Sequence, residues 1–158
     1  MLLQNKTQNG DKMTKDVLIS IRGFQIVDDD DDAQPVELIA PGQYYCRNGK
    51  HYVLYDEVDE DDGRITKNRI KIQDDYVGIT KKGVSNTNMI FEKNKKNVTC
   101  YETPYGNLML GINANQIDLK ETEDSIDVKV GYILDVNYEP VADCNIQISI
   151  QAKKGSIA

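Results

Sequence analysis

The chain has 158 residues, one domain's worth, long enough to bury a real core, and it shows no internal repeat. Its 19 basic and 26 acidic residues leave a net charge of −7, which argues against nucleic acid and against an anionic membrane surface as partners. No segment reaches the ~18 consecutive apolar residues of a membrane span. The start, Met1 to Lys6, turns polar too soon for a signal-peptide core, so the cytoplasm is the expected compartment.

Residues 1–14 are polar and aperiodic and read as a disordered extension, followed by one β domain over 15–152 and a short tail over 153–158. Val17, Ile19 and Ile21 alternate with Leu18, Ser20 and Arg22, predicting a first strand that runs to about Val27. Asp28 to Asp32 is an acidic run. It fails the calcium-loop spacing at Ala33 and Ile39, and reads as a solvated turn. Val36, Leu38 and Ala40 make a second strand, broken by Pro41-Gly42.

Gly42 to Glu57 is the organising hairpin: two β-rich arms flank Asn48-Gly49, the dipeptide suited to a two-residue turn. Alternation sets Tyr44 and Tyr45 on opposite faces, and puts Val53, Tyr55 and Glu57 together against Tyr52 and Leu54. Further strands follow over Arg64–Gln73, Tyr76–Thr80, Met89–Phe91, Val98–Thr103 and Leu108–Ile112. Gln116 to Asp124 suits a turn of helix or a strand equally. The cleanest alternation comes last, in Ile126–Val136 and Cys144–Ile150, with one apolar and one polar face as in antiparallel sheet.

Regular strands separated by turn signals, with no sustained helical stripe, predict an all-β fold. An antiparallel up-and-down β-barrel of roughly eight to ten strands is the favoured architecture, because closure removes exposed edges.

Three cysteines and one histidine, without Cys-x-x-Cys spacing, supply neither a disulfide framework nor a zinc site. Cys46, Cys100 and Cys144 read as reduced residues on strands, and no metal or cofactor is expected. His51, just past the hairpin turn, reads as an inert surface histidine. No nucleophile elbow, phosphate loop or dinucleotide fingerprint occurs, so no catalytic residue is assigned.

Several stretches resemble the YwiB-like proteins of Firmicutes: Gly42-Gln43-Tyr44-Tyr45, then Tyr52 and Tyr55 with Glu57, then Thr66-Lys67 before Ile70-Lys71-Ile72. Met89-Ile90-Phe91 and the distinctive Tyr101-Glu102-Thr103-Pro104-Tyr105-Gly106-Asn107-Leu108 carry the same resemblance, which extends from Asp16 to about Gln151. It implies a calycin barrel, the group of lipocalins and fatty-acid-binding proteins, in a family of unknown function. Two places depart from the family pattern. Thr80-Lys81-Lys82-Gly83 replaces Thr-Arg-Ser-Gly, and Asn68-Arg69 replaces a pair of threonines.

Glu57 is the carboxylate of interest. On an inward face with Lys67 approaching from the next strand, it makes a charged pair inside a small barrel, an arrangement associated with binding sites. The competing reading leaves Glu57 in water at the strand's end. Tyr45, Tyr55, Tyr101 and Tyr105, with Thr103 beside them, either line a mouth for an amphipathic ligand or plug the interior. Two main expectations follow: a barrel that binds a small amphipathic molecule, or a filled barrel that acts as an interaction module, self-associating through an outer strand face. An enzyme is a third.

Overall fold

The computed structural model describes residues 15–23, 37–83, 86–103 and 105–153, apart from the side chain of Thr103. Within these residues the chain forms ten strands and no helix: β1 (Lys15–Arg22), β2 (Glu37–Arg47), β3 (Lys50–Val58), β4 (Ile65–Gln73), β5 (Tyr76–Lys82), β6 (Thr87–Glu92), β7 (Lys95–Thr103), β8 (Gly106–Glu121), β9 (Ser125–Val136) and β10 (Glu139–Ala152). The predicted N-terminal extension, the aspartate run and residues 24–27 of the expected first strand lie outside the described residues, as does all of the tail after Lys153.

Period-two hydrophobicity becomes an inner and an outer wall. Val17, Ile19 and Ile21 are buried on β1 while Leu18 is exposed, and Val53 and Tyr55 are buried on β3 while Leu54 is exposed. Asn48 and Gly49 take φ of 53° and 78°, the left-handed pair that matches the twist of the flanking strands. Asn137 and Tyr138 do the same at 50° and 71°, an uncommon conformation for a bulky residue.

The region whose sequence suits helix and strand equally belongs to β8. A bulge there, between Ala114 and Gln116, shifts the register against β9. One extra residue changes the parity of the strand, so Leu110, Ile112 and Ala114 face inward before it and Ile117 faces inward after it.

The ten strands form one sheet in the order β6-β5-β4-β3-β2-β1-β10-β9-β8-β7, every pairing antiparallel. The sheet curls on itself, because side chains meet between strands that are not neighbours. Phe91 on β6 packs edge-on against Tyr132 on β9, ring centroids 5.0 Å apart, and His51 on β3 reaches Glu121 on β8. The result is the predicted up-and-down barrel, with one difference from full closure. The ladder is completed by β1 with β10, Ile19 opposite Ile150, while β6 and β7 do not pair with each other.

The lumen is a packed core. Ile19, Val53, Ile70, Phe91, Val128 and Leu134 are all fully buried within it, each worth about 1.5–3 kcal/mol of burial. Among the described residues no helix is long and apolar enough to cross a membrane.

Candidate functional site

Polar groups gather at both ends of the lumen. β3 begins at one end with His51 and finishes at the other with Glu57, since both share the inward parity of Val53 and Tyr55.

At the Glu57 end three strands converge on one oxygen. Lys81 Nζ, from β5, lies 2.9 Å from Glu57 Oε1, and Asn68 Nδ2, from β4, donates to the same atom at 3.1 Å. Asn68 Nδ2 also donates to the carbonyl of Thr66 at 3.2 Å. Period two placed all three here: Asn68 continues Ile70 and Ile72, and Lys81 continues Val77 and Ile79. The Glu57 and Lys81 side chains keep 36% and 24% of their surface in water, so the pair sits at the rim of the core. Asn68 is deeper, 2% exposed, and its Oδ1 is buried without a hydrogen-bond partner. A buried acceptor left unpaired costs about 1–3 kcal/mol. Tyr55 lines the same wall, and burial, reinforced by the negative charge of Glu57, holds its phenol above the ordinary tyrosine range.

Beside this cluster the barrel wall is incomplete. A cleft of about 580 Å³ opens along the seam between β6 and β7; its lining includes Lys81, Thr87 and Asn88 on one side and Thr99 and Cys100 on the other. Lys81 thus touches both the cleft and Glu57.

At the other end the polar line is complete. Tyr44 Oη and His51 Nδ1 are 2.9 Å apart, and His51 Nε2 is 3.1 Å from Glu121 Oε2. A carboxylate only accepts, so Nε2 carries the proton, and Nδ1 accepts from the tyrosine hydroxyl. Burial raises the Tyr44 phenol, helped by Cys46 and Glu121. His51, expected at the surface, is 4% exposed. Its strand parity turns it into the lumen, where the tyrosine and glutamate satisfy both ring nitrogens.

The sequence-predicted residues divide between the walls. Tyr55 and Glu57 lie on the inner wall at the Glu57 end, and Tyr101 is half-buried against the core. The backbone of Thr103 pairs with Gly106 at the end of the β7–β8 ladder. Tyr45 and Lys67 are on the outer wall, away from the cluster. Tyr45 stacks on Tyr52 at 4.9 Å, and Lys67 pairs with Asp56 at 3.7 Å across exposed surface. The expected Glu57–Lys67 pair does not form: residues in register, Glu57 with Thr66 and Lys67 with Asp56, keep the two on opposite faces. Tyr105, in the β7–β8 turn, is 98% exposed. Sequence reasoning missed Asn68 and Lys81 as partners, and Tyr44, His51 and Glu121 as a line. Among the described residues no group of His, Cys, Asp and Glu has the arrangement of a metal site.

The family model "Domain of unknown function (DUF1934)" matches residues 19–148. The chain belongs to the DUF1934 family. It is 23% identical over 127 residues to the "Uncharacterized beta-barrel protein YwiB" of Bacillus subtilis (strain 168), covering 80% of this chain and 88% of that protein. The crystal structure of the Bacillus subtilis ywiB protein superposes with a TM-score of 0.74 at 20% identity, over 92% of this chain and 97% of that one. At this identity the likeness carries the fold.

Proposed function

We propose that this DUF1934 barrel binds a small amphipathic molecule at its Glu57 end, rather than deep in the lumen. The observation that carries the reading is Asn68 Oδ1, buried and unpartnered beside the Glu57–Lys81 pair. A hydroxyl, amine or amide of a ligand satisfies that oxygen, while the charged pair orients the rest of the polar head. The lumen is filled by large apolar side chains, so the apolar part of the ligand lies against the rim, where the half-buried Tyr101 presents ring surface. The seam cleft beside Lys81 supplies an entrance. The unpaired state of Cys46, Cys100 and Cys144 is in keeping with a reducing, cytoplasmic setting.

Native mass spectrometry of gently purified protein tests this. Wild type and the outer-wall control Lys67→Ala carry a bound small molecule, and Asn68→Leu and Glu57→Gln lose it. A single unliganded mass for wild type refutes the reading, as does retention of the molecule by both inner-wall variants.

The interaction-module reading rests on a separate observation. Leu18, Ile39 and Leu54, at 40%, 59% and 39% exposure, leave apolar surface on the outer faces of β1, β2 and β3. Sedimentation equilibrium decides it: a concentration-dependent dimer that Ile39→Lys dissociates supports self-association, and a monomer at all concentrations removes it.

A further inference from the structure

Among the described residues, eight of the ten strands have neighbours on both sides, whereas β6 pairs with β5 alone and β7 with β8 alone. An extended strand with one partner directs its alternate N–H and C=O groups at nothing in the sheet. Here two such rows flank one gap. The turn between the strands, Lys93-Asn94, does not begin a ladder between them. Lys93 N–H donates to Asp75 O at 3.1 Å, and Asn94 N–H crosses to Ala114 O on β8 at 2.8 Å. The two edges are therefore tethered at the His51 end, and the cleft of about 580 Å³ lies between them.

The sequence leaves β6 largely unblunted: Thr87-Asn88-Met89-Ile90-Phe91 contains no proline and no charge, the usual devices against added strands, before Glu92 at its end. On β7 the charges stand at the ends, Lys95 and Lys96 beside the turn and Glu102 at the far end, leaving Asn97 to Tyr101 uncharged. The surroundings are selective by charge. Arg69, Lys81 and Lys82 line the cleft, on a chain whose net charge is −7.

We propose that the β6–β7 seam accepts an extended acidic peptide segment as an added strand, completing the wall of the barrel. β6 and β7 run in opposite directions, so the guest lies antiparallel to one and parallel to the other. Backbone pairing supplies affinity, and Arg69 and Lys82 select glutamate or aspartate on the outward side of the guest. The inference rests on the backbone edges and stands apart from the ligand reading of the Glu57 cluster.

Amide hydrogen exchange of the free protein gives the first test. Along β6 and β7, amides directed at β5 and β8 exchange slowly, and the alternate amides directed at the seam exchange fast. Uniform protection of both strands means the seam is already closed and overturns the proposal. The second test titrates a short acetylated peptide of alternating valine and glutamate, followed by amide NMR. Shifts appear on both seam edges. Affinity falls at least about tenfold, or ~1.4 kcal/mol, when alternate residues of the peptide are N-methylated, when lysine replaces glutamate, or in Lys82→Glu protein. Equal binding by the N-methylated peptide overturns the proposal. So do shifts confined to Glu57, Asn68 and Lys81, or an absence of shifts at millimolar peptide.

Discussion

The Tyr44–His51–Glu121 line makes a quantitative demand on stability. His51 is buried, and each ring nitrogen has one partner, at 2.9 Å and 3.1 Å. Tyr44→Phe removes one oxygen and strands Nδ1 without a donor, at a cost of about 2 kcal/mol. His51→Leu removes both bonds and leaves the Tyr44 hydroxyl facing apolar carbon, costing about 3 kcal/mol. In the double variant neither orphan remains, and Glu121, whose side chain is 31% exposed, turns to water. The double variant is therefore expected near 3 kcal/mol, well short of the sum, a coupling of about 2 kcal/mol. For a chain of this size each kcal/mol moves Tm by about 2–4 °C. Urea titration of the four proteins at neutral pH, with calorimetry alongside, measures the cycle. Additivity to within about 0.5 kcal/mol refutes the hydrogen-bonded line across the lumen.

Other expectations follow from burial and backbone geometry. Tyr44, Tyr55 and Tyr132 have phenols held above the ordinary value of 10.0, chiefly by burial. The folded state keeps these protons after the unfolded chain loses its own, so the stability is whole below pH 10 and falls above it. The slope is about 1.4 kcal/mol per pH unit for each tyrosine; absorbance at 295 nm shows these three ionising only together with alkaline unfolding. Gly42→Ala puts a methyl 2.6 Å from both Ile19 Cδ1 and the Leu54 carbonyl oxygen, costing about 2–3 kcal/mol by denaturant titration. Tyr138→Gly relieves a left-handed backbone at a residue 69% exposed, and raises stability by about 0.5–1 kcal/mol in the same assay. Lys81→Met costs about 1 kcal/mol because Glu57 loses its partner, while Lys67→Met, from an exposed pair at 3.7 Å, changes stability by less than about 0.5 kcal/mol.

Much of the fold was legible because a barrel repeats one simple rule. Alternation alone identified the apolar wall of β1, β9 and β10 and separated the two faces of β3, and Asn48-Gly49 located the central hairpin. The same rule grouped Glu57 with Val53 and Tyr55 but left open whether that face was inward, and the choice of Lys67 as its partner broke it. Lys67 has the parity of the exposed Arg69, and Asn68 has that of the buried Ile70. Applied strictly, alternation would have placed Asn68 and Lys81 inside. Glu121 was hidden for a different reason. Counting by twos from Leu108 through Ala114 puts Asp118 and Lys120 inside, and only the bulge at Asn115 brings Glu121 round to the lumen. The His51–Glu121 contact links residues 70 apart in sequence, and nothing local to either residue announces the other.

The contrast between the two ends of the lumen separates structure from function. Both ends place a glutamate at the rim and an uncharged polar side chain deeper on the wall. At the His51 end every ring nitrogen is satisfied by protein, so the line is complete and leaves no hydrogen-bonding deficit for a ligand to fill. At the Glu57 end Lys81 and Asn68 both donate to one carboxylate oxygen, Asn68 Oδ1 is left over, and Lys81 also lines an open cleft. A lone unsatisfied oxygen is a standing cost of about 1–3 kcal/mol, which a leucine of similar size would avoid. The same ranking predicts how the ends respond to substitution. Asn68→Leu is close to neutral for stability and abolishes ligand binding, whereas His51→Leu costs about 3 kcal/mol and leaves binding intact. Destabilisation by Asn68→Leu as large as that of His51→Leu, with no change in bound mass, would mean that the Glu57 cluster is scaffold, like the line at the His51 end.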